Sequence, residues 1–331
     1  MKCSAGAVLA VAMAVTSFGA VAQPVSDPQW IADLNAGRYA QVERHAGARA
    51  AAQPDDMDAH AALIRSVLAL NDPARRDAAL KLLDACVVRT PQSAICHYGV
   101  GSVLGAQVIS QGMLKAAFGA PRIHDSLRKA VELDPLLYAA RSALVQFYLL
   151  APGVAGGSVP KAREVAQAAT ARQPDHAKLL LALIALDQKL PDVAERELAA
   201  ARLGVDQELI EDADGLWARL AFDYLGSRQP AKARPIFERF IKERPGRAIG
   251  HYGLGRVLSD AGSLSEAIDE LTRAAGLQGA GDLPVDYRLG VALQANHKPA
   301  PARAALSRFM AAGKGSQQNR DDAERRLAEL R

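Results

Sequence analysis

Aromatic residues are scarce in this chain, 5% of 331 residues, although half of the sequence is hydrophobic. Runs of β-branched and aromatic residues of strand type are absent as well, so the apolar surface is mostly Ala, Leu and Val. That composition excludes the β-rich classes and favours helices that approach closely on small residues. An excess of charge of one sign is also lacking: 40 basic residues stand against 36 acidic ones, well mixed, for a net +4. Such a surface is solvated and carries no nucleic-acid stripe, so no nucleic-acid partner is expected. Beyond the N-terminus no window approaches the ~18 apolar residues of a membrane span. The motifs G-x-S-x-G, H-E-x-x-H and G-x4-G-K-[ST] do not occur. The sequence therefore offers no enzymatic constellation, and neither a cofactor nor a metal is expected.

Cysteine is the next scarcity, with three in all. Cys3 lies inside an N-terminal stretch that reads as a secretory signal: Met1-Lys2 gives a positive start, Ala7 to Val15 an apolar core, and Ala20-Val21-Ala22 a small-x-small cleavage site. The alternative is an uncleaved anchor. Cleavage after Ala22 predicts a mature chain of residues 23–331, without a membrane span, in the periplasm of a Gram-negative bacterium or outside the cell. Two cysteines then remain. Cys86 falls one turn before the end of an expected helix and Cys96 one turn into the next, with Thr90-Pro91-Gln92 between them. Antiparallel helices joined by a short turn bring such residues opposite each other. The spacing predicts a Cys86–Cys96 disulfide, export favouring the oxidised form; two buried free thiols are the alternative.

What the sequence has in quantity is a period. Trp217, Leu220, Ala221 and Tyr224 mark one helical face. Gly226 and Gln229-Pro230 break it, and Ala233, Phe237 and Phe240 mark the inner face of a second helix that Pro245 ends. Closing prolines recur at Pro54, Pro91, Pro135, Pro174 and Pro245, and Gly255 and Gly290 lie 35 residues apart, as do Ala267 and Ala302. The pattern W-x2-L-(G/A)-x2-Y, then A-x3-F, then Pro resembles the tetratricopeptide repeat. The resemblance covers roughly 30–312. It is strong over 214–312, fair over the second to fourth units, and weak in the first unit and in 176–203; residues 94–203 are irregular or extended. It implies an all-α, right-handed solenoid of about seven to eight helix pairs, with a polar C-terminal cap from Gln317 to Leu330. In the third unit the first helix is expected to run on to Phe118 and the second to start at Pro121.

His60, His97 and His251 share the slot of Trp217, which points to packing more than to a metal site. In superhelices of this kind the first helix of each repeat lines the groove where partners bind. The groove positions implied are Arg65, Tyr98, Ser142, Gln146, Phe222, Tyr252, Arg256 and Tyr287, several of them Tyr or Arg, the types enriched at binding hot spots. Three readings stand. The first is a non-enzymatic scaffold or adaptor of the cell envelope that binds a peptide or protein in the groove. The second is a ligand-binding accessory protein of an envelope polysaccharide or transport system, with a pocket at Gly156-Gly157-Ser158 ahead of a helix. The third is a structural spacer in an envelope assembly.

Overall fold

The computed structural model describes residues 25–111, 113–204 and 206–330, and their side chains outside 109–118. The expected signal segment lies outside the described residues. Seventeen α-helices follow one another: α1 Pro28–Asn35, α2 Tyr39–Ala52, α3 Met57–Leu70, α4 Pro73–Arg89, α5 Ala94–Gln111, α6 Met113–Leu133, α7 Tyr138–Leu150, α8 Val159–Gln167, α9 Pro174–Asp187, α10 Pro191–Ala200, α11 Gln207–Gly226, α12 Pro230–Glu243, α13 Ala248–Asp260, α14 Leu264–Ala275, α15 Val285–Ala295, α16 Pro299–Ala311 and α17 Gln317–Glu329. The described residues hold no strand beyond one isolated bridge, Arg247 with Gln278.

The chain's own chemistry sets the boundaries. Asp27, Asp56, Asp72 and Ser158 each accept a backbone N–H of the first turn of α1, α3, α4 and α8. Proline opens α4, α9, α10, α12 and α16, where its missing N–H costs nothing. Turns inside pairs carry one residue in the left-handed region: Gly37, Asn71, Lys189, Arg228, Gly262 and His297.

Helices pack in adjacent pairs, and the first helix of one pair packs on the first helix of the next, α3 on α5, α5 on α7, α7 on α9, and α13 on α15. Small residues permit this closeness. A Cβ at Gly255 would lie 2.7 Å from Leu271 Cγ and 3.3 Å from the Ala267 carbonyl, and one at Gly290 would meet Leu306 and Ala302 in the same way. The described residues form two compact units, 25–216 and 217–330, with the boundary inside α11. In the second, Ala248, Tyr252, Leu271, Leu289 and Ala302 share one core cluster. Tyr287, Leu306, Phe309 and Ala323 form another, so that α17 closes the end of the array.

Two expectations need correction. Pro121 does not start a helix; it lies inside α6, which begins at Met113. The tight packing of α6 along α5 outweighs the proline's local preference, since tertiary contacts routinely override propensity. The first helix of the third unit ends at Gln111, short of Phe118. The helix that carries Trp217 starts at Gln207, capped by Asp206, whose Oδ1 accepts from the N–H groups of Glu208 and Leu209. Cys86 and Cys96 are joined, with Cα atoms 5.7 Å apart. For so short a loop the bond contributes about 3 kcal/mol in the chain-entropy account.

Candidate functional site

In the 25–216 unit the slot residues do one repeated job. His60 Nε2 lies 3.0 Å from the Pro54 carbonyl, His97 Nε2 2.9 Å from that of Pro91, and Arg141 Nη2 donates to that of Pro135 at 2.8 Å. In each case a side chain six residues on ties down the carbonyl of the closing proline. Arg141, almost wholly buried, also donates through Nη1 to Val165 of α8 at 2.8 Å. In the 217–330 unit the same slot is filled otherwise. Arg239 stacks 4.3 Å from the centre of the Trp217 ring, and His251 Nδ1 lies 2.6 Å from Glu270 Oε2. The histidines serve packing and capping, and the described residues hold no group of three or more His, Cys, Asp or Glu able to hold a metal ion.

The groove positions of the first unit stand on α3, α5 and α7. Arg65 is partly exposed and bridges Glu211 at 3.2 Å. Tyr98 is fully buried and faces Glu208 and Asp212. Gln146 donates to Ser142 one turn earlier, 3.3 Å away. Tyr138 of α7, which the sequence reading did not single out, hydrogen-bonds to Asp212. The face is thus met by the leading turns of α11, which bury Leu209, Ala213 and Leu216. Burial raises Glu208 to about 8 and Asp212 to about 6; Asp212 and Asp206 add to the first shift by repulsion, and Glu211 to the second. Glu208, Glu211 and Asp212 were missed because an acidic run reads as a solvated surface. The usable signal was Asp206 as an N-cap, with Leu209, Ala213 and Leu216 carrying the Trp217 helix backward by two turns.

In the second unit Phe222, Tyr252 and Arg256 come together. The Arg256 guanidinium lies 5.3 Å from the Phe222 ring centre, and Phe222 packs edge-on to Tyr252 at 6.0 Å. Burial holds Arg256 below the usual arginine range. Tyr252 is buried, while Phe222 and Arg256 keep some exposure. Tyr287 stands apart, buried against Phe309 and donating to Asp322 at 2.9 Å. Of the groove positions, Tyr98, Tyr252 and Tyr287 are therefore closed off by their own neighbours, and Arg65, Gln146, Phe222 and Arg256 are reachable.

At the Gly156-Gly157-Ser158 loop the amides point inward. Gly156 N–H donates to Gly153, Gly157 N–H to Pro152, and Ser158 N–H to Tyr148. These three donors are therefore engaged within the chain.

Residues 154–207 and 219–282 match the family model described as tetratricopeptide repeat. Those stretches are tetratricopeptide repeats. The match includes residues 176–203, where the motif is weak by eye, and α9 pairs there with α10. Among proteins of curated function none matches the sequence. Solved structures with the same kind of fold include the Cut9–Hcn1 hetero-tetramer of the APC/C, 15% identical over 90% of this chain and 55% of that one, with a TM-score of 0.52. A monomeric IFIT1 mutant with Gppp-AAAA is 13% identical over 90% of this chain and 70% of the other, at 0.55. A human IFIT1 dimer with PPP-AAAA is 15% identical over 83% and 62%, at 0.53. The chain thus spans about half the length of the Cut9–Hcn1 chain it matches, and likeness at this identity speaks for the fold alone. The repeat fold is consistent with a protein–protein interaction scaffold. No helix of the described residues is long and apolar enough to cross a membrane.

Proposed function

We propose that this chain is a non-enzymatic interaction scaffold of the bacterial cell envelope that takes a protein or peptide partner on the first-helix faces of its repeats. The observation that carries the reading is the first-helix face of the 25–216 unit. It already accommodates a helical peptide stretch, the leading turns of α11, through an arginine bridge from Arg65 and a tyrosine hydrogen bond from Tyr138. Arg65 and Gln146 in this unit, and Phe222 and Arg256 in the other, supply the guanidinium, amide and aromatic groups that peptide recognition uses. The export signal read at residues 1–22 supports an envelope location, and the joined Cys86 and Cys96 suit an oxidising compartment. The pocket reading at Gly156-Gly157-Ser158 loses its support with the engaged amides.

The test uses the exported protein as bait. Expressed with its leader, it is expected in the periplasmic fraction with Gln23 as its first residue. From envelope extract it should retain one dominant protein that an Arg65→Glu/Arg256→Glu variant retains less than a tenth as well. Cytoplasmic retention, or equal capture by the two forms, contradicts the reading.

A further inference from the structure

The leading turns of α11 occupy the position of a ligand. Every first helix from α3 to α9 sends a group to them. Arg65 of α3 bridges Glu211. Tyr98 of α5 faces Glu208 and Asp212, with Ser102 one turn beyond. Tyr138 of α7, with Ser142 beside it, hydrogen-bonds to Asp212. His176 of α9 lies 3.9 Å from Asp206 and packs edge-on to Tyr138, ring centres 4.6 Å apart. Four carboxylates, Asp206, Glu208, Glu211 and Asp212, therefore meet one guanidinium, two tyrosines and a histidine that burial holds neutral-prone.

The charges do not balance. Arg65 is engaged by Glu211, and Glu208 and Asp212 face hydroxyl groups. Glu208 Oε1 is buried without a hydrogen-bond partner among the described residues. An ionised carboxylate in such a place loses its hydration without gaining a pair, whereas a carboxylic acid loses far less. The apolar side of the same stretch, Leu209, Ala213 and Leu216, favours docking. The two sides of one helix thus pull in opposite directions, and protonation decides between them.

We propose that residues 207–213 are an internal occupant of the first-helix face of the 25–216 unit, held there by protons on Glu208 and Asp212 and released as those protons are lost. This rests on the reading of that face as the partner site, which the segment would close in acid and open toward neutral and alkaline pH. The sign follows from the shifts. Docked, the two groups titrate near 8 and 6; undocked, they return to the ordinary carboxylate values of 4.5 and 3.8. Below those ordinary values both states hold the protons and docking is at full strength. As pH rises toward 8, only the docked state retains them, so docking weakens throughout that window.

Hydrogen exchange of the full chain, without any partner, tests this. Exchange is measured on the amides of 208–213 at pH 5, 6, 7, 8 and 9, corrected for the intrinsic base dependence. The opening constant of this stretch is expected to rise more than about tenfold from pH 5 to pH 9, one titrating group giving up to tenfold per pH unit across its window. Amides of α9 in the same molecule should show no comparable rise. In Glu208→Gln/Asp212→Asn the rise should fall below about threefold, because neither side chain can ionise. A rise under tenfold in the unaltered chain overturns the proposal, and so does an equal rise in a folded double variant. If the variant does not fold, the unaltered chain decides alone. A captured partner together with pH-independent exchange would leave the scaffold reading standing and remove the latch.

Discussion

Phe237→Ala is expected to destabilise the 217–330 unit by about 3–5 kcal/mol, the range for removing a large aromatic side chain from a close-packed core. Phe237 is fully buried on α12, and its ring lies 5.2 Å from that of Phe222. It also meets Gly253 of α13 so closely that a Cβ there would lie 2.1 Å from two of its ring carbons. A second substitution checks this interlock. Gly253→Ala alone overpacks the contact and costs about 1–3 kcal/mol. Placed on Phe237→Ala it enters space already vacated and costs little, so the two changes are strongly non-additive. Urea unfolding, followed by Trp217 fluorescence in a Trp30→Phe background, measures both. Additive losses would show that the two residues do not share one packing site.

Arg141→Ala should cost the 25–216 unit about 1–3 kcal/mol, because it removes the donor shared by two part-buried carbonyls. Those carbonyls are Pro135 at the end of the third pair and Val165 on α8. The arginine thus fastens the turn before α7 to the helix after it. Its charge is not the point: desolvation alone holds its pKa down. Arg141→Lys therefore separates the two roles. It retains the charge but cannot span both carbonyls, so it should recover no more than about half of the loss. Thermal unfolding of the three forms reads the order. Full recovery in Arg141→Lys would contradict the two-carbonyl account.

The helix pairs were legible because their signals are local and repeated. Proline at a helix start, a left-handed residue in the turn, and Leu–Ala–Tyr or Ala–Phe spacing on the buried face all recur within one repeat length. The slot shared by His60, His97 and Trp217 was legible as packing, but its use of the closing-proline carbonyl was not, since that depends on turn geometry. What the sequence concealed depends on contacts distant in the chain. Arg65 and Glu211 are separated by 146 residues, and no periodicity connects them. The acidic run ahead of Trp217 reads as surface until its tyrosine and arginine neighbours on α3, α5 and α7 are in place. Tyr98, Tyr252 and Tyr287 were placed correctly on first helices; their burial follows from neighbours on other helices. Pro121 inside α6 misled for the same reason.

The central claim is that the first-helix face, and not the opposite side of the array, meets the partner. Site-specific photocrosslinking tests it most directly. A photoreactive residue replaces Arg65 or Gln146 on that face, and Val88 of α4, 84% exposed, serves as the comparison. Cells carrying each form are irradiated and the envelope fraction is resolved by mass. The expected result is one discrete crosslinked protein from positions 65 and 146 that is absent from position 88. The same product from position 88, or none from positions 65 and 146 in a folded and exported chain, would contradict the account.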